Sequence, residues 1–215
     1  MLDVHAPNES MHGWRDFLLH LTTITIGLLI ALSLEGLVEW QHRRHLVHDA
    51  EASLHAEIKS NADNMGGVLT DLHKRQTMLE HDVSVLNYIA ANGKYPKDKN
   101  MAVEIRIVTF DSVSWKTAQS TEALSYMPYD LAQNYAAIYT VQDLLTASEQ
   151  QAARDASVSI GSFVNAPDNG PPPSREEAEA TIQKIEVLQG QLFLVDSIMQ
   201  ELSTQYKQFL AAHPG

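Results

Sequence analysis

Cysteine is absent from all 215 residues, which excludes disulfides, thiolate catalysis and Cys-based zinc or iron–sulfur sites. Basic residues are scarce: 15 Lys and Arg stand against 27 Asp and Glu, a formal net charge of −12. Nucleic acid requires a basic surface to meet its phosphates, so it is not an expected partner. A broad electrostatic footprint on anionic lipid is excluded on the same ground. Also missing are a glycine-rich phosphate loop, a Gly-x-Ser-x-Gly elbow and a His-Glu-x-x-His motif. What remains for catalysis is scattered carboxylates, which a solvated face explains, so the expectation is a non-enzyme without a cofactor.

What the chain does have is an apolar run, Phe17 to Leu34, bounded by Asp16 and Glu35. Eighteen residues of helix span roughly 27 Å, about the hydrocarbon thickness of a bilayer. Trp14 and Arg15 on one side, and Trp40, Arg43 and Arg44 on the other, are residues suited to the two interfaces. These features predict a transmembrane helix over 17–38 behind a polar tail, 1–16. A cleaved secretory signal and a buried helix of a soluble domain are the alternatives. The first lacks a basic n-region, although Ala31-Leu32-Ser33 offers a cleavage-like spacing. Within the run, Thr23, Gly27 and Ala31 recur every four residues and share one helix face, where small side chains let another helix approach. Thr22, Thr25 and Ser33 can return hydrogen bonds to their own backbone. Arg43 and Arg44 against the single upstream Arg15 favour a cytoplasmic C-terminal domain.

Beyond the span no strong breaker occurs until Asn92-Gly93. Ala50, Leu54, Ile58, Asn61, Met65, Leu69, Leu72, Gln76, Leu79, Val83, Leu86 and Ala90 follow at steps of three and four, which predicts a long amphipathic helix over 39–91. Gly66-Gly67 is its weak point and an expected kink. Residues 92–111 form a loop, with Val103–Phe110 as the single β-branched run; one strand without a partner makes no sheet. Asp111 or Ser112 is expected to cap a short helix, 112–126, and Pro128 to open the next, 128–164, which carries Leu131, Tyr135, Ile138, Tyr139, Leu144 and Leu145. A Pro-rich linker, 165–174, leads to a helix over 175–211 whose start is marked by a Ser174/Glu177 capping box. The fold class is therefore all-α: a membrane helix continuing into a long amphipathic helix that packs in a bundle or coiled-coil-like domain, with the C-terminal helix on that bundle.

The order of these segments carries a resemblance. Ile24-Thr25-Ile26-Gly27-Leu28-Leu29-Ile30-Ala31-Leu32 is followed by His42-Arg43-Arg44, then Trp115-Lys116-Thr117-Ala118-Gln119-Ser120-Thr121-Glu122-Ala123-Leu124, Met127-Pro128-Tyr129, Tyr135 and Tyr139. Over residues 15–145 the chain resembles a group of bacterial inner-membrane proteins of unassigned activity, with one N-terminal span and a helical domain. The resemblance implies location in the bacterial inner membrane, single-pass, and implies no reaction.

Three clusters compete for chemistry. His42, His45 and His48 lie just past the span, and Glu39-Trp40-Gln41-His42 has the Glu-x-x-His form of di-iron bundles. Steps of three turn the imidazoles about 60° apart on a helix, and the other copy of the motif, Glu9-Ser10-Met11-His12, lies in the tail. They are weak metal candidates, and no metal site is assigned. His20 could ligate haem between two copies of the chain, but reads as a headgroup-boundary residue. Trp115, Leu124, Tyr135 and Tyr139 are either a core corner between helices or the lining of a ligand pocket.

The expected function is an accessory or scaffold subunit of a membrane assembly, or a homo-oligomer, acting through helix–helix contacts. Its partners are the lipid bilayer and other membrane subunits or itself. A membrane-anchored helical sensor of a small ligand, and a metal- or haem-binding membrane helix, are the alternatives.

Overall fold

The computed structural model describes residues 13–98, 101, 108–160 and 170–214. Among them every regular element is helical: α1 (Trp14–Asn92), α2 (Val113–Ser120), a 3₁₀ turn (Ala123–Tyr126), α3 (Tyr129–Ile160) and α4 (Arg175–Ala212). Most of the β-branched run, the first half of the Pro-rich linker and the tail copy of Glu-x-x-His lie outside the described residues. The chain divides into two compact units, residues 1–48 and 49–215.

The described part of the first unit is the N-terminal stretch of α1. From Phe17 to Trp40 its apolar side chains are exposed all round. Leu28, Leu29 and Ile30 are 59, 58 and 57% exposed, and three successive residues point about 100° apart on a helix, so no face is covered. Thr23, Thr25 and Ser33 each donate a hydroxyl hydrogen to the carbonyl four residues back, on Leu19, Leu21 and Leu29. Their polarity is thereby consumed within the helix.

The second unit is a bundle of α1, α3 and α4. Its buried positions follow steps of three and four, with one gap of seven between Met65 and Leu72 that half-buried Leu69 bridges: Leu54, Ile58, Asn61, Met65, Leu72, Arg75, Leu79, Asp82, Leu86 and Ile89 on α1. On α3 they are Tyr135, Ile138, Gln142, Leu145, Glu149, Ala152 and Ala156. On α4 they run Ala178, Thr181, Ile185, Leu188, Leu192, Val195, Met199, Leu202, Tyr206 and Phe209. This 3.5-residue repeat keeps one seam of each helix turned to its neighbours. Polar pairs set the directions. Glu57 meets Tyr139 and Asn61 meets Gln142, so α1 and α3 run parallel; His55 meets His213 and Gln76 meets Leu192, so α4 runs antiparallel to α1.

Helix ends follow local chemistry where the sequence carries it. Gly93, at φ +62°, places its N–H on the Ile89 carbonyl and closes α1 as a left-handed C-terminal cap. Ser174 and Glu177 form the reciprocal capping box of α4, and its backbone and side-chain hydrogen bonds hold the Glu177 carboxyl below its usual range.

Other boundaries differ from the sequence reading. The expected helix 112–126 is interrupted: Glu122 enters the left-handed region at φ 61°, ending α2 and starting a separate 3₁₀ turn. Met127 is extended, as a residue before proline prefers, and the Pro128 carbonyl accepts the first hydrogen bond of α3 from Ala132. Helix α1 is assigned through Gly66 and Gly67 without interruption. On α1 the seam passes through Arg75, Asp82 and Ile89, while the neighbouring Gln76, Val83 and Ala90 of the expected stripe are half-buried. Leu144, one of the helically spaced residues read for this helix, is 55% exposed.

Candidate functional site

Polar side chains buried between three helices converge where α2 begins. Glu57 and Asn61, one turn apart on α1, face residues 110–114. Asn61 binds the backbone of Asp111 on both sides: its Oδ1 accepts from the N–H at 3.0 Å and its Nδ2 donates to the carbonyl at 2.8 Å. Glu57 Oε2 accepts the N–H of Ser114 at 2.7 Å, in the first turn of α2. Ser112 occupies the N-cap position of α2 and makes no side-chain capping bond. The cap expected from Asp111 or Ser112 therefore comes from Glu57, 57 residues earlier in the chain, and the carboxylate also complements the positive end of the helix dipole.

Helices α3 and α4 complete the cluster. Tyr139 donates to Glu57 Oε1 at 2.6 Å. Gln142 Nε2 donates to the carbonyls of Phe110 and Asp111 at 3.3 and 2.8 Å, and its Oε1 accepts from the Tyr206 hydroxyl at 2.8 Å. Trp115 stacks on Tyr139 with ring centroids 4.9 Å apart and planes 7° from parallel. Burial pushes the Tyr139 hydroxyl upward, and its hydrogen bond to Glu57 adds to this; burial likewise raises Tyr206. Tyr135 is pushed up to about 12 by burial and then by the nearby charge of Glu51.

Both oxygens of Glu57, and both ends of Asn61 and Gln142, are thus occupied by protein groups. The arrangement is a clamp that fixes the start of α2 on the bundle. It exposes no activated nucleophile and leaves no vacant acid–base partner. Of the four corner residues read from the sequence, Tyr135 and Tyr139 are buried, while Trp115 and Leu124 are half-buried. Tyr139 and Trp115 meet each other, and Tyr135 turns instead to Phe209, 5.0 Å away.

A second polar contact lies further along the bundle. Arg75 Nη2 is 3.7 Å from Glu149 Oε1, and both side chains are almost fully buried. The Val108 N–H donates to the other Glu149 oxygen at 3.3 Å. Burial raises the Glu149 carboxyl, while the Val108 and Arg75 contacts pull it down.

Glu57, Arg75, Asp82, Gln142 and Glu149 did not stand out in the sequence, because a search for apolar spacing passes over charged letters. The signal was there. Continuing the three-four alternation through polar residues lands on Arg75 and Asp82 in α1 and on Gln142 and Glu149 in α3.

The residues read for the membrane helix are all exposed: Trp14, Arg15, Thr23, Gly27, Ala31, Trp40, Arg43 and Arg44. A methyl group built at Gly27 meets nothing within 4 Å, so that face is open. The Arg44 guanidinium lies 5.5 Å from the centre of the Trp40 ring, and Arg43 is paired with Glu39. His20, His42, His45 and His48 are exposed, and among the described residues no group of three or more His, Asp or Glu is placed to hold a metal ion.

One groove opens elsewhere, between α3 and the C-terminal end of α4. It holds about 260 Å³ and is lined by residues that include Asn134, Ile138, Gln205, Gln208, Phe209 and His213. Comparison of the chain with protein-family models, curated proteins and solved structures finds no match.

Proposed function

We propose that this protein is a single-pass membrane protein that acts without catalysis, as an accessory or scaffold subunit of a larger membrane assembly or as a homo-oligomer. One observation carries the reading. The N-terminal stretch of α1 is apolar on every side and wholly uncovered, and it is the one described helix long and apolar enough to cross a membrane. Exposing so many Leu and Ile side chains to water costs on the order of 1.5–3 kcal/mol each, so the solvent for that stretch is lipid or another apolar helix. The stacked Arg44–Trp40 pair and the exposed Trp14 fit the two interfaces.

The resemblance over residues 15–145 supports the bacterial inner membrane as the location, and the Arg43-Arg44 pair supports a cytoplasmic C-terminal domain. The open face of Thr23, Gly27 and Ala31 supports contact with a neighbouring span, either a foreign subunit or a second copy. The buried polar side chains at the start of α2 are spent on holding the fold, which favours a scaffold over an enzyme.

The test is purification of the full chain from native membranes in mild detergent, with mass spectrometry of whatever remains at constant ratio. A foreign subunit or a defined self-assembly is expected, weakened in Gly27→Leu. A monodisperse monomer with no companion would sink the proposal. An assembly unchanged by Gly27→Leu would remove the role given to that face.

A further inference from the structure

Helix α4 carries a second seam. Ala180, Gln183, Val187, Gly190, Leu194 and Ser197 follow one another at steps of three and four, as its buried residues do, and all six are exposed. The set is displaced by two residues, about 200° around the helix, from Ile185, Leu188, Leu192 and Val195. It therefore lies on the side of α4 turned away from the bundle, and it runs about 26 Å without a charged residue.

A surface helix ordinarily presents charge opposite its core face. The outer face of α4 instead bears Val187 and Leu194, with Phe193 at its edge one turn from Gly190, and all three large side chains are more than half exposed. Gly190 lies among them, and a Cβ built there meets nothing within 4 Å, so a second helix can come close to the backbone. Uncharged residues repeating at 3.5-residue spacing over this length match the seam of a paired helix.

The bordering charges indicate which helix covers it. In a parallel pair, a residue on one edge of the seam meets the residue five positions later on the opposite edge of the partner helix. Glu179 then faces Lys184 of a second copy, and two-fold symmetry forms the same contact in reverse. An antiparallel pair centred on Gly190 brings Glu179 toward Glu201 instead, setting like charges together. The chain carries a net charge of −12, so two copies repel over much of their surface, and an uncharged strip is where they can touch. Glu201, the next residue in the series, ends the strip.

We propose that α4 pairs in parallel with α4 of a second copy along Ala180–Ser197, with Val187, Gly190 and Leu194 at the centre of the contact. The proposal rests on the homo-oligomer form of the function given above and names the surface that the bundle contributes to it.

The chain has no cysteine, so single substitutions report the contact. Val187→Cys and Leu194→Cys, each in the full chain in native membranes, are oxidised with copper phenanthroline and read on non-reducing gels. Each is expected to give a disulfide-linked dimer, at a yield roughly tenfold above Lys59→Cys on the exposed side of α1. A disulfide needs Cα atoms within about 7 Å, whereas an antiparallel pair centred on Gly190 would hold the two copies of residue 194 about 12 Å apart along the helix. Adding Leu194→Asp to Val187→Cys should cut the dimer about tenfold, because it buries two like charges in the seam. Yields at 187 and 194 no higher than at 59 would overturn the pairing, as would cross-linking to a different protein only. Retention by carbonate-washed membranes is scored on the same samples. Protein retained without these cross-links sinks the pairing alone; protein released by carbonate sinks the membrane reading, while the cross-links still decide the pairing.

Discussion

The Tyr139 hydroxyl donates to Glu57 Oε1 at 2.6 Å, joining α3 to α1 across 82 residues of sequence, while the other oxygen of the same carboxylate caps α2. One side chain therefore holds three helices. Tyr139→Phe keeps the stacking surface for Trp115 but leaves a buried carboxylate oxygen without its donor. A loss of about 1.5–3 kcal/mol is expected, seen as a lower urea midpoint at unchanged slope. A change under about 0.5 kcal/mol would mean that water replaces the hydroxyl and that the clamp is not closed.

High pH tests the same region through its tyrosines. Tyr135, Tyr139 and Tyr206 all have folded-state values raised above the ordinary 10.0, with burial as the largest cause. A raised value means the folded state holds its proton more tightly than the unfolded state. The stability this represents is fully present below pH 10 and is lost as pH rises beyond it. Each tyrosine adds a slope of about 1.4 kcal/mol per pH unit, and Tyr135 stops contributing near 12. Denaturation midpoints should hold steady to pH 10 and then fall, with tyrosinate absorbance appearing as the protein unfolds. Titration of all three in the folded protein near pH 10 would contradict their burial.

The Arg75–Glu149 contact should behave as a buried pair. Removing Arg75 with Arg75→Met leaves Glu149 enclosed without its cationic neighbour, at an expected cost of about 3 kcal/mol. That cost should shrink on acidification, because a protonated Glu149 needs no counter-charge. Glu149→Gln added to Arg75→Met should recover part of the loss, for a coupling of at least about 1 kcal/mol in the double-mutant cycle. Additive effects would show that the two groups act independently.

Gly66 and Gly67 lie inside α1, and a Cβ at either position meets nothing within 4 Å. Gly66→Ala and Gly67→Ala should each stabilise the bundle by about 0.5–1 kcal/mol, because alanine loses less backbone freedom on folding. Thermal unfolding in detergent reads this directly. Destabilisation in both variants would restore the kink that the pair of glycines leads one to expect.

Local chemistry written within a few residues was legible in the sequence. The apolar helix from Phe17 onward, the glycine stop after Asn92, the Ser174/Glu177 box and the α4 stripe all depend on composition and spacing that each segment carries by itself. The start of α2 does not. Asp111 and Ser112 look like competent caps, yet the first-turn donor of Ser114 is met by Glu57, whose proximity exists only once α1, α2 and α3 have packed. The seam on α1 was likewise decided by packing: Arg75 and Asp82 take the inward positions and Gln76 and Val83 the flanks, and for Arg75 the partner, Glu149, comes from α3. Apolar burial can be read from one helix, since water is the common reference for every segment. Polar burial requires knowing which groups from far along the chain arrive to satisfy it, and only the tertiary structure brings Tyr139, Gln142 and Tyr206 to Glu57 and Asn61.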